Sequence, residues 1–480
     1  MFASVLGLAG QSVFPTGTTT YDPARAWNGF NVLSPLGTQA AIVMDMNGRI
    51  VKQWDGFNNS AGGPVRVLPN GDVIAPVGAR PGRQESLELV QRDFAGSVIW
   101  RLDRNEQIET NDGKTTQSLR QHHDWQREDF PAGYYSPEAT PARSGSNTLV
   151  LTHTDRRLPE IADVLLQDDR IIEVSPKGDI VWQWAAGDHI NEMGFDARAR
   201  AAIRGARAGG AAAPGRAGGA AAPGRAGGAA APGRAGGAAA GRGGAGAPGR
   251  GAAAAFDWLH LNSATYVGPN RWFDAGDRRF APNNVIISSR EASLIAIVAR
   301  DGSIVWRLGP DFLESDALRA IGQIIGQHHA HLIPKGLPGA GNLLVFDNGG
   351  PSGYGDPTGT AARGVGIYAR PNSRVLEIDP VSLKVVWSYT APGQFFSTNI
   401  SGMQRLPNGN TLITEGASGR LFEVTSDRQI VWEYMHPPLT GGRVGTIYRS
   451  YRIPYGWLAQ VPRPQEKAVM PPPNGEFRVP

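Results

Sequence analysis

Histidine is scarce in this sequence, and its distribution is uneven. The chain of 480 residues contains nine histidines, and six of them fall in three short motifs. The motifs are QHHD with His122 and His123, DWLHLNS with His260, and QHHAHL with His328, His329 and His331. A fold that brings these three distant motifs together would place several imidazoles in one pocket, which is typical of a functional site.

Two further polar residues indicate the kind of chemistry. Asn262 follows His260 in WLHLNS, and Arg290 ends the run IISSR. Imidazole, amide and guanidinium groups donate hydrogen bonds and supply positive charge, and no pair of carboxylates accompanies them, so the pattern predicts an anion site. In such a site an imidazole can act as nucleophile, while arginine and further histidines neutralise charge that spreads onto the transferred group.

The spacing within QHHAHL restricts which histidines share a pocket. On a β-strand, His329 and His331 point to one face and His328 points to the other. We therefore expect at most part of the motif in the pocket, unless a strand end or a bulge breaks the alternation.

The composition excludes other kinds of chemistry. The chain has no cysteine, so thiol catalysis, cysteine-ligated metals and disulfides are impossible. The net charge of +4 has a local origin, because nine arginines and no acidic residue lie between Asp196 and Asp257. The rest of the chain is acidic, which argues against a nucleic-acid partner. No apolar run approaches the roughly 18 residues of a membrane-spanning helix.

A repeat predicts the elements that position the motifs. One unit recurs six times: it consists of a β-rich run, a turn with Gly or Asp, and an apolar strand that ends in Trp. The six copies end at Trp54, Trp100, Trp182 and Trp184, Trp306, Trp387 and Trp432. A second hairpin lies between copies, as in VRVLPNGDVIA and QRLPNGNTLIT. Four short strands per unit and a Trp spacing of about 45 residues are typical of a propeller blade.

The repeat predicts an all-β fold, a six-bladed β-propeller over residues 36–457. An extended segment (1–35) precedes it and a Pro-rich tail (458–480) follows it. An Ala/Gly/Pro/Arg-rich stretch, 204–255, is interpreted as a disordered insertion loop. The repeated tryptophans are expected to pack between blades. Because the innermost strand of each blade lines the central channel, the three histidine motifs are expected to converge there.

The motifs resemble those of the bacterial aryl-sulfate sulfotransferases, also called arylsulfotransferases. The resemblance covers residues from about 40 to 435. It is carried by WLHLNS at 258–263, IISSR at 286–290, and QH followed by FDNG between 327 and 349, in that order. It implies a six-bladed propeller that moves a sulfo group from a phenolic sulfate ester to another phenol. It also implies a covalent sulfohistidine and no need for 3′-phosphoadenosine 5′-phosphosulfate.

The resemblance also implies a role for each site residue. His328 is the expected nucleophile, with the adjacent His329 as the alternative or as a substrate-binding residue. His260 and Arg290 are expected at the sulfate oxygens, and Asn262 is expected to bind substrate there. His123 is expected in the same pocket, as general acid for the departing phenolate and then as general base for the acceptor phenol.

The expected partners are an aryl sulfate donor and a phenolic acceptor, with no cofactor and no metal. Family resemblance favours a periplasmic or secreted protein. Two other interpretations are open. One is a metal-dependent propeller oxygenase with four histidine ligands, although Arg290 would repel a cation and Asp124 is the one obvious carboxylate beside the motifs. The other is a non-catalytic binding propeller, which has no need of histidines at its channel.

Overall fold

A computed structural model of the chain describes residues 16–59, 63–80, 83–103, 105–109, 115–205, 255–354, 369–438 and 445–470. Its first fourteen strands are β1 (Gly17–Tyr21), β2 (Phe30–Pro35), β3 (Ala40–Met44), β4 (Ile50–Asp55), β5 (Arg66–Val67), β6 (Val73–Ala79), β7 (Ser86–Arg92), β8 (Val98–Leu102), β9 (Glu106–Glu109), β10 (Thr115–Ser118), β11 (Gln121–Arg127), β12 (Thr148–Arg156), β13 (Leu166–Val174) and β14 (Ile180–Ala185). The other fourteen are β15 (Phe256–Asp257), β16 (Leu261–Tyr266), β17 (Val285–Ser289), β18 (Leu294–Val298), β19 (Ile304–Leu308), β20 (His328–Leu332), β21 (Leu343–Asp347), β22 (Arg374–Ile378), β23 (Val385–Tyr389), β24 (Ser401–Arg405), β25 (Thr411–Glu415), β26 (Arg420–Val424), β27 (Ile430–Met435) and β28 (Ile447–Ile453).

Helices are few and short in the described ranges. The α-helices are α1 (Ala197–Gly205), α2 (Arg271–Asp274) and α3 (Asp316–Ile321). Single 3₁₀ turns occur at Ala186–His189, Arg278–Phe280, Gly416–Ser418 and Tyr455–Leu458. None of the described helices is long and apolar enough to cross a membrane. The predicted all-β class is confirmed.

The strands form a propeller, but its sheets differ from the prediction of six blades. Four sheets have blade form: β28–β2–β3–β4, β16 to β19, β20 to β23, and β24 to β27 with β1 added outside β27. A nine-stranded sheet contains β5 to β8 and β11 to β15, and β9 pairs with β10 in a separate ribbon. The repeats ending at Trp100 and at Trp184 share this sheet, because β7 pairs with β11 at Ser86 and Gln121. The prediction of six separate blades is therefore wrong, and the described sheets give four.

Both ends of the described chain belong to the sheets. β28 pairs with β2, and β1 pairs with β27, so strands distant in sequence close the ring. The described part of the predicted N-terminal segment, 16–35, contains β1 and β2. The tail also contacts the fold, because Val469 bridges to Tyr21.

The predicted insertion lies almost wholly outside the described residues. Its first residues, 204–205, end helix α1. Residues 206–254 are not described, so the interpretation of this stretch as a disordered loop stays a prediction.

Burial explains why the sequence repeat is so visible. Every residue of β3, β17, β18 and β21 is buried, and these middle strands are mainly apolar, although β17 ends in Ser288 and Ser289 and β21 ends in Asp347. The outer strand β23 exposes Val385 and Val386, and its Trp387 is partly buried against the adjoining core cluster.

Tryptophan side chains connect neighbouring sheets, as predicted. Six of the seven repeated tryptophans donate their indole N–H to a backbone carbonyl of the next sheet around the ring, at 2.8–3.3 Å: Trp54 to Asp93, Trp182 to Arg300, Trp184 to Gly302, Trp306 to Pro380, Trp387 to Ser426 and Trp432 to Met46. Trp100 instead contacts the Arg127 guanidinium, 5.2 Å from the ring centre. These hydrogen bonds join neighbouring sheets, and those of Trp306 and Trp432 also satisfy buried polar groups.

Candidate functional site

Irregular backbone in three inner strands positions the histidines. β11 packs against β16, β16 against β20, β20 against β24, and β24 against β28. His123, His260 and His329 have φ values of 52°, 50° and 55°, a region that side chains other than glycine rarely adopt. In each case the strand register shifts at or beside the histidine. Strained backbone of this kind is concentrated at functional sites, and here it recurs at all three motifs.

His328 is held in one tautomer. Its Nδ1 lies 2.8 Å from Asn348 Oδ1 and 3.1 Å from the Gly326 carbonyl oxygen. Both partners are acceptors, because Asn348 Nδ2 donates to the Ser397 carbonyl and Ser401 Oγ donates to Asn348 Oδ1. The proton of a neutral His328 therefore lies on Nδ1, and Nε2 carries a free lone pair.

The electrostatic environment keeps this imidazole neutral. Burial and the positive charge of Arg290 lower the pKa of His328 to about 3, and Arg449 and His260 act in the same direction. An unprotonated Nε2 near several positive charges can attack an electrophilic centre that carries negative oxygens.

His329 occupies a different environment from its neighbour. Its Nδ1 accepts the Met403 backbone N–H at 3.3 Å, and its ring lies against Tyr134 and His331. The ring centroids of His329 and His331 are 4.5 Å apart, as expected for residues on one strand face. Its Nε2 has no hydrogen-bond partner, so His329 has one free ring nitrogen.

His123 and His260 form an edge-to-face pair with ring centroids 4.5 Å apart. His260 Nδ1 lies 2.6 Å from Asp257 Oδ2. Burial lowers the pKa of His260, but the Asp257 carboxylate outweighs burial and the pKa is raised. His260 can therefore carry a positive charge, while its side chain keeps 18% of its surface exposed.

Arg290 adjoins the same pair. Its backbone N–H donates to the His260 carbonyl at 3.1 Å. Its guanidinium pairs with Glu291 and donates to the Pro351 carbonyl at 2.9 Å. The positive charge of Arg290 also lowers the pKa of His328.

Asn262 is buried on β16 and only partly free. Its Nδ2 donates to the Gln327 carbonyl at 2.6 Å, and its Oδ1 has no hydrogen-bond partner. One amide N–H remains for a ligand. The predicted residues His123, His260, Asn262, Arg290 and His328 thus lie on neighbouring inner strands or beside them.

Sequence reasoning missed a second buried arginine. Arg449, on β28, lies 3.3 Å from Asp124 Oδ2 and donates to Tyr134 Oη at 3.2 Å and to the Asn262 carbonyl at 3.0 Å. Its charge lowers the pKa of both His328 and His329. Arg449 belongs to none of the three motifs. It lies at the site because β28 pairs with β2 and so closes the ring of sheets. Asn348 was also missed as a site residue, although it stands in the FDNG run.

The prediction that the histidines of separate blades could form a four-histidine metal site is not supported. In the described part of the chain, the ligand atoms that converge belong to His122, His153 and Asp169. These residues come from adjacent strands of one sheet. His153, outside the three motifs, stacks on His122 with ring centroids 3.5 Å apart.

Comparison with solved structures finds neighbours of low similarity. A protein of unknown function from Bacteroides caccae is 10% identical with a TM-score of 0.41, covering 88% of this chain and 98% of that chain. AztD from Citrobacter koseri is 8% identical with a TM-score of 0.35, covering 89% and 98%. The Dos1 propeller is 11% identical with a TM-score of 0.33, covering 81% and 76%. None of these similarities supports a functional inference.

Comparison with known sequences is more specific. No curated protein matches the chain. A family model described as Arylsulfotransferase (ASST) matches residues 82–435. The matched range contains all three histidine motifs.

Proposed function

Because the chain belongs to the arylsulfotransferase family, we propose that it transfers a sulfo group from a phenolic sulfate ester to a phenol by a ping-pong mechanism. The intermediate is a sulfohistidine at His328, and 3′-phosphoadenosine 5′-phosphosulfate is not required. The observation that carries this proposal is the bond from His328 Nδ1 to Asn348 Oδ1, 2.8 Å long, which leaves Nε2 as a buried neutral nucleophile.

In the first half-reaction, the His328 Nε2 lone pair attacks the sulfur of the aryl sulfate. The new N–S bond forms as the S–O bond to the aryl group breaks, and the phenolate leaves with that electron pair. His123 supplies the proton to the leaving oxygen. The support for this role is the contact of His123 with His260: burial and the neighbouring histidines lower the pKa of His123, whereas Asp257 raises the pKa of His260, which can therefore supply the proton that His123 passes on.

In the second half-reaction, the oxygen of an acceptor phenol attacks the sulfur. The N–S bond breaks and its electron pair returns to His328 Nε2, while His123 takes the phenolic proton. The roles of His123 in the two halves are reversed, as microscopic reversibility requires. Parallel lines in double-reciprocal plots are the expected kinetic signature.

Positive charge stabilises the transferred group. Arg290 and Arg449 are permanent cations that act on His328, and His260 adds charge when protonated. Together with the free amide N–H of Asn262, they provide donors for the sulfo oxygens. Preorganised donors at the site of developing charge commonly contribute more to the rate of an enzyme than any other single effect.

Mixing the protein with 4-nitrophenyl sulfate, with and without phenol, tests this function. We expect nitrophenolate release to depend on phenol, with stoichiometric formation of phenyl sulfate. A control without protein measures spontaneous hydrolysis. No phenol-dependent release across several phenols would contradict the proposed transfer and favour a binding propeller.

Asn348→Ala should lower kcat by about 100-fold with little change in KM, because His328 loses the acceptor that orients its ring. Asn348→Asp should restore much of the rate, since a carboxylate oxygen accepts the same hydrogen bond. Asn342→Ala is the matched control: Asn342 is buried at the other end of β21, where it donates to Glu377. Equal losses in the two alanine variants would show that Asn348 has only a structural role.

We also propose a periplasmic or secreted location, where aryl sulfates would be met. The support is the family to which the chain belongs.

A further inference from the structure

Three neighbouring strands of the nine-stranded sheet bring two imidazoles and a carboxylate together. His122 lies on β11, His153 on β12 and Asp169 on β13, where His153 and Asp169 are directly paired. All three side chains are buried. They lie beside the sulfo-transfer site, and the mechanism above uses none of them.

Two of the facing atoms of this cluster, His122 Nε2 and Asp169 Oδ1, lack hydrogen-bond partners. His122 Nε2 is 3.1 Å from Asp169 Oδ1, yet neither atom forms a hydrogen bond. His153 Nε2 is 3.9 Å from the same oxygen. Ligand atoms about 2.0–2.1 Å from a shared metal ion are separated by about 3–3.5 Å, so these spacings are close to those of a coordination site.

The remaining atoms of the same side chains are already engaged. His122 Nδ1 lies 2.9 Å from His123 Nδ1, and His153 Nδ1 lies 3.2 Å from Glu85 Oε1. Asp169 Oδ2 accepts the Leu261 backbone N–H at 3.1 Å. A carboxylate or another acceptor behind each imidazole is the usual outer shell of a metal site, because it orients the ligand.

Charge also favours a cation here. Arg120 pairs with Glu85, and Arg156 pairs with Asp168. Within the described ranges, Asp169 has no arginine or lysine partner and is paired only with histidines. A fully buried carboxylate without a cationic partner is costly, and a bound metal ion would remove that cost.

We propose that His122, His153 and Asp169 bind one divalent first-row transition metal ion. Imidazole nitrogen and carboxylate oxygen suit Zn²⁺ and its neighbours in the series. Binding requires a local adjustment, because the two imidazoles stack with an interplanar angle of 10° and Gln167 Nε2 lies 3.1 Å from both ring nitrogens of His153. His153 must tilt towards Asp169 as Gln167 turns away.

Zn²⁺ binding to the chelator-dialysed full-length protein tests this site. Competition with a chromophoric chelator should show one Zn²⁺ per chain. Asp169→Asn keeps the side-chain volume and should weaken the affinity at least about 10-fold, and His153→Ala should do the same. His189→Ala is the control, since His189 also faces a carboxylate, with Nδ1 2.7 Å from Glu192 Oε1, but lies outside the cluster.

The outcomes are distinct from those of the sulfo-transfer assay, because binding is measured without substrate. Absence of stoichiometric Zn²⁺ binding to the wild-type protein overturns the proposal. Unchanged affinity in Asp169→Asn also overturns it, and that variant decides the question if His153→Ala does not fold.

Discussion

His328→Ala is expected to abolish sulfo transfer, with kcat reduced by about 10⁴-fold or more, the order seen when a catalytic nucleophile is removed. The reason is specific to this imidazole: its Nδ1 is committed to Asn348 and Gly326, which leaves Nε2 free to attack. His329 also has a lowered pKa, but its Nδ1 accepts the Met403 N–H, so the proton of a neutral His329 lies on Nε2. Nitrophenolate release from 4-nitrophenyl sulfate measures the loss.

The matched variant is His329→Ala, which removes the neighbouring imidazole. His329 accepts a hydrogen bond from Met403 and lies against Tyr134, so its loss should leave formation of the covalent intermediate intact. Mass spectrometry of the protein quenched with donor alone should find the added sulfo group on the peptide containing His328. A sulfo group retained in His328→Ala and lost in His329→Ala would assign the nucleophile to His329 instead.

Mild acid is expected to destabilise the protein strongly. Burial is the largest cause that lowers the pKa of His328 to about 3 and of His331 to about 4, and it also lowers the pKa of His329. These groups stay neutral in the folded state but bind protons in the unfolded chain below about pH 6.5. The unfolded state then binds more protons, so the free energy of unfolding falls as the pH falls.

The expected size follows from this linkage. Each of the three histidines lowers the free energy of unfolding by about 1.4 kcal/mol per pH unit between about pH 6.5 and pH 4. From pH 7 to pH 5 the three histidines together lower the free energy of unfolding by about 6 kcal/mol. This is a large part of the roughly 5–15 kcal/mol by which a typical domain is stable against unfolding. Denaturant titrations at a series of pH values measure this slope.

His331→Asn removes one of the three histidines. It should therefore reduce the pH dependence of the free energy of unfolding by about 1.4 kcal/mol per pH unit. Asparagine keeps an N–H donor for the His329 carbonyl, which His331 Nδ1 now contacts at 2.8 Å. Tyr134→Phe is the control, because it alters the same cluster without removing a group that titrates in this range. An equal slope in wild type and His331→Asn would contradict the prediction.

The features that the sequence shows directly share one property, which is that their signal is local. The tryptophans lie on outer strands whose neighbouring middle strands are mainly apolar, and this repeat predicts blades and their packing. The three histidine motifs are equally visible as short runs. The FDNG run contains Asn348, but the sequence of this run does not predict that Asn348 Oδ1 faces His328 Nδ1.

Long-range pairing accounts for what the sequence did not reveal. The contact of β7 with β11 joins two predicted blades into one sheet through a single residue pair, Ser86 with Gln121. Ring closure by β28 brings Arg449 to Asn262, although 187 positions separate them. Such contacts depend on the register of each strand pair and on which strands pair with each other. Because the apolar strand pattern is nearly the same in every repeat, neither can be predicted from it.

The amino-acid sequence therefore establishes the all-β repeat, the family and the histidines that could act in catalysis, because short stretches of adjacent residues are enough to identify each of them. The folded chain establishes how those imidazoles differ. His328 and His329 are neighbours of identical type, yet one bonds Asn348 and the other accepts from Met403. Their protonation and reactivity depend on burial, hydrogen-bond partners and nearby charges, which arise only when distant strands assemble around the axis.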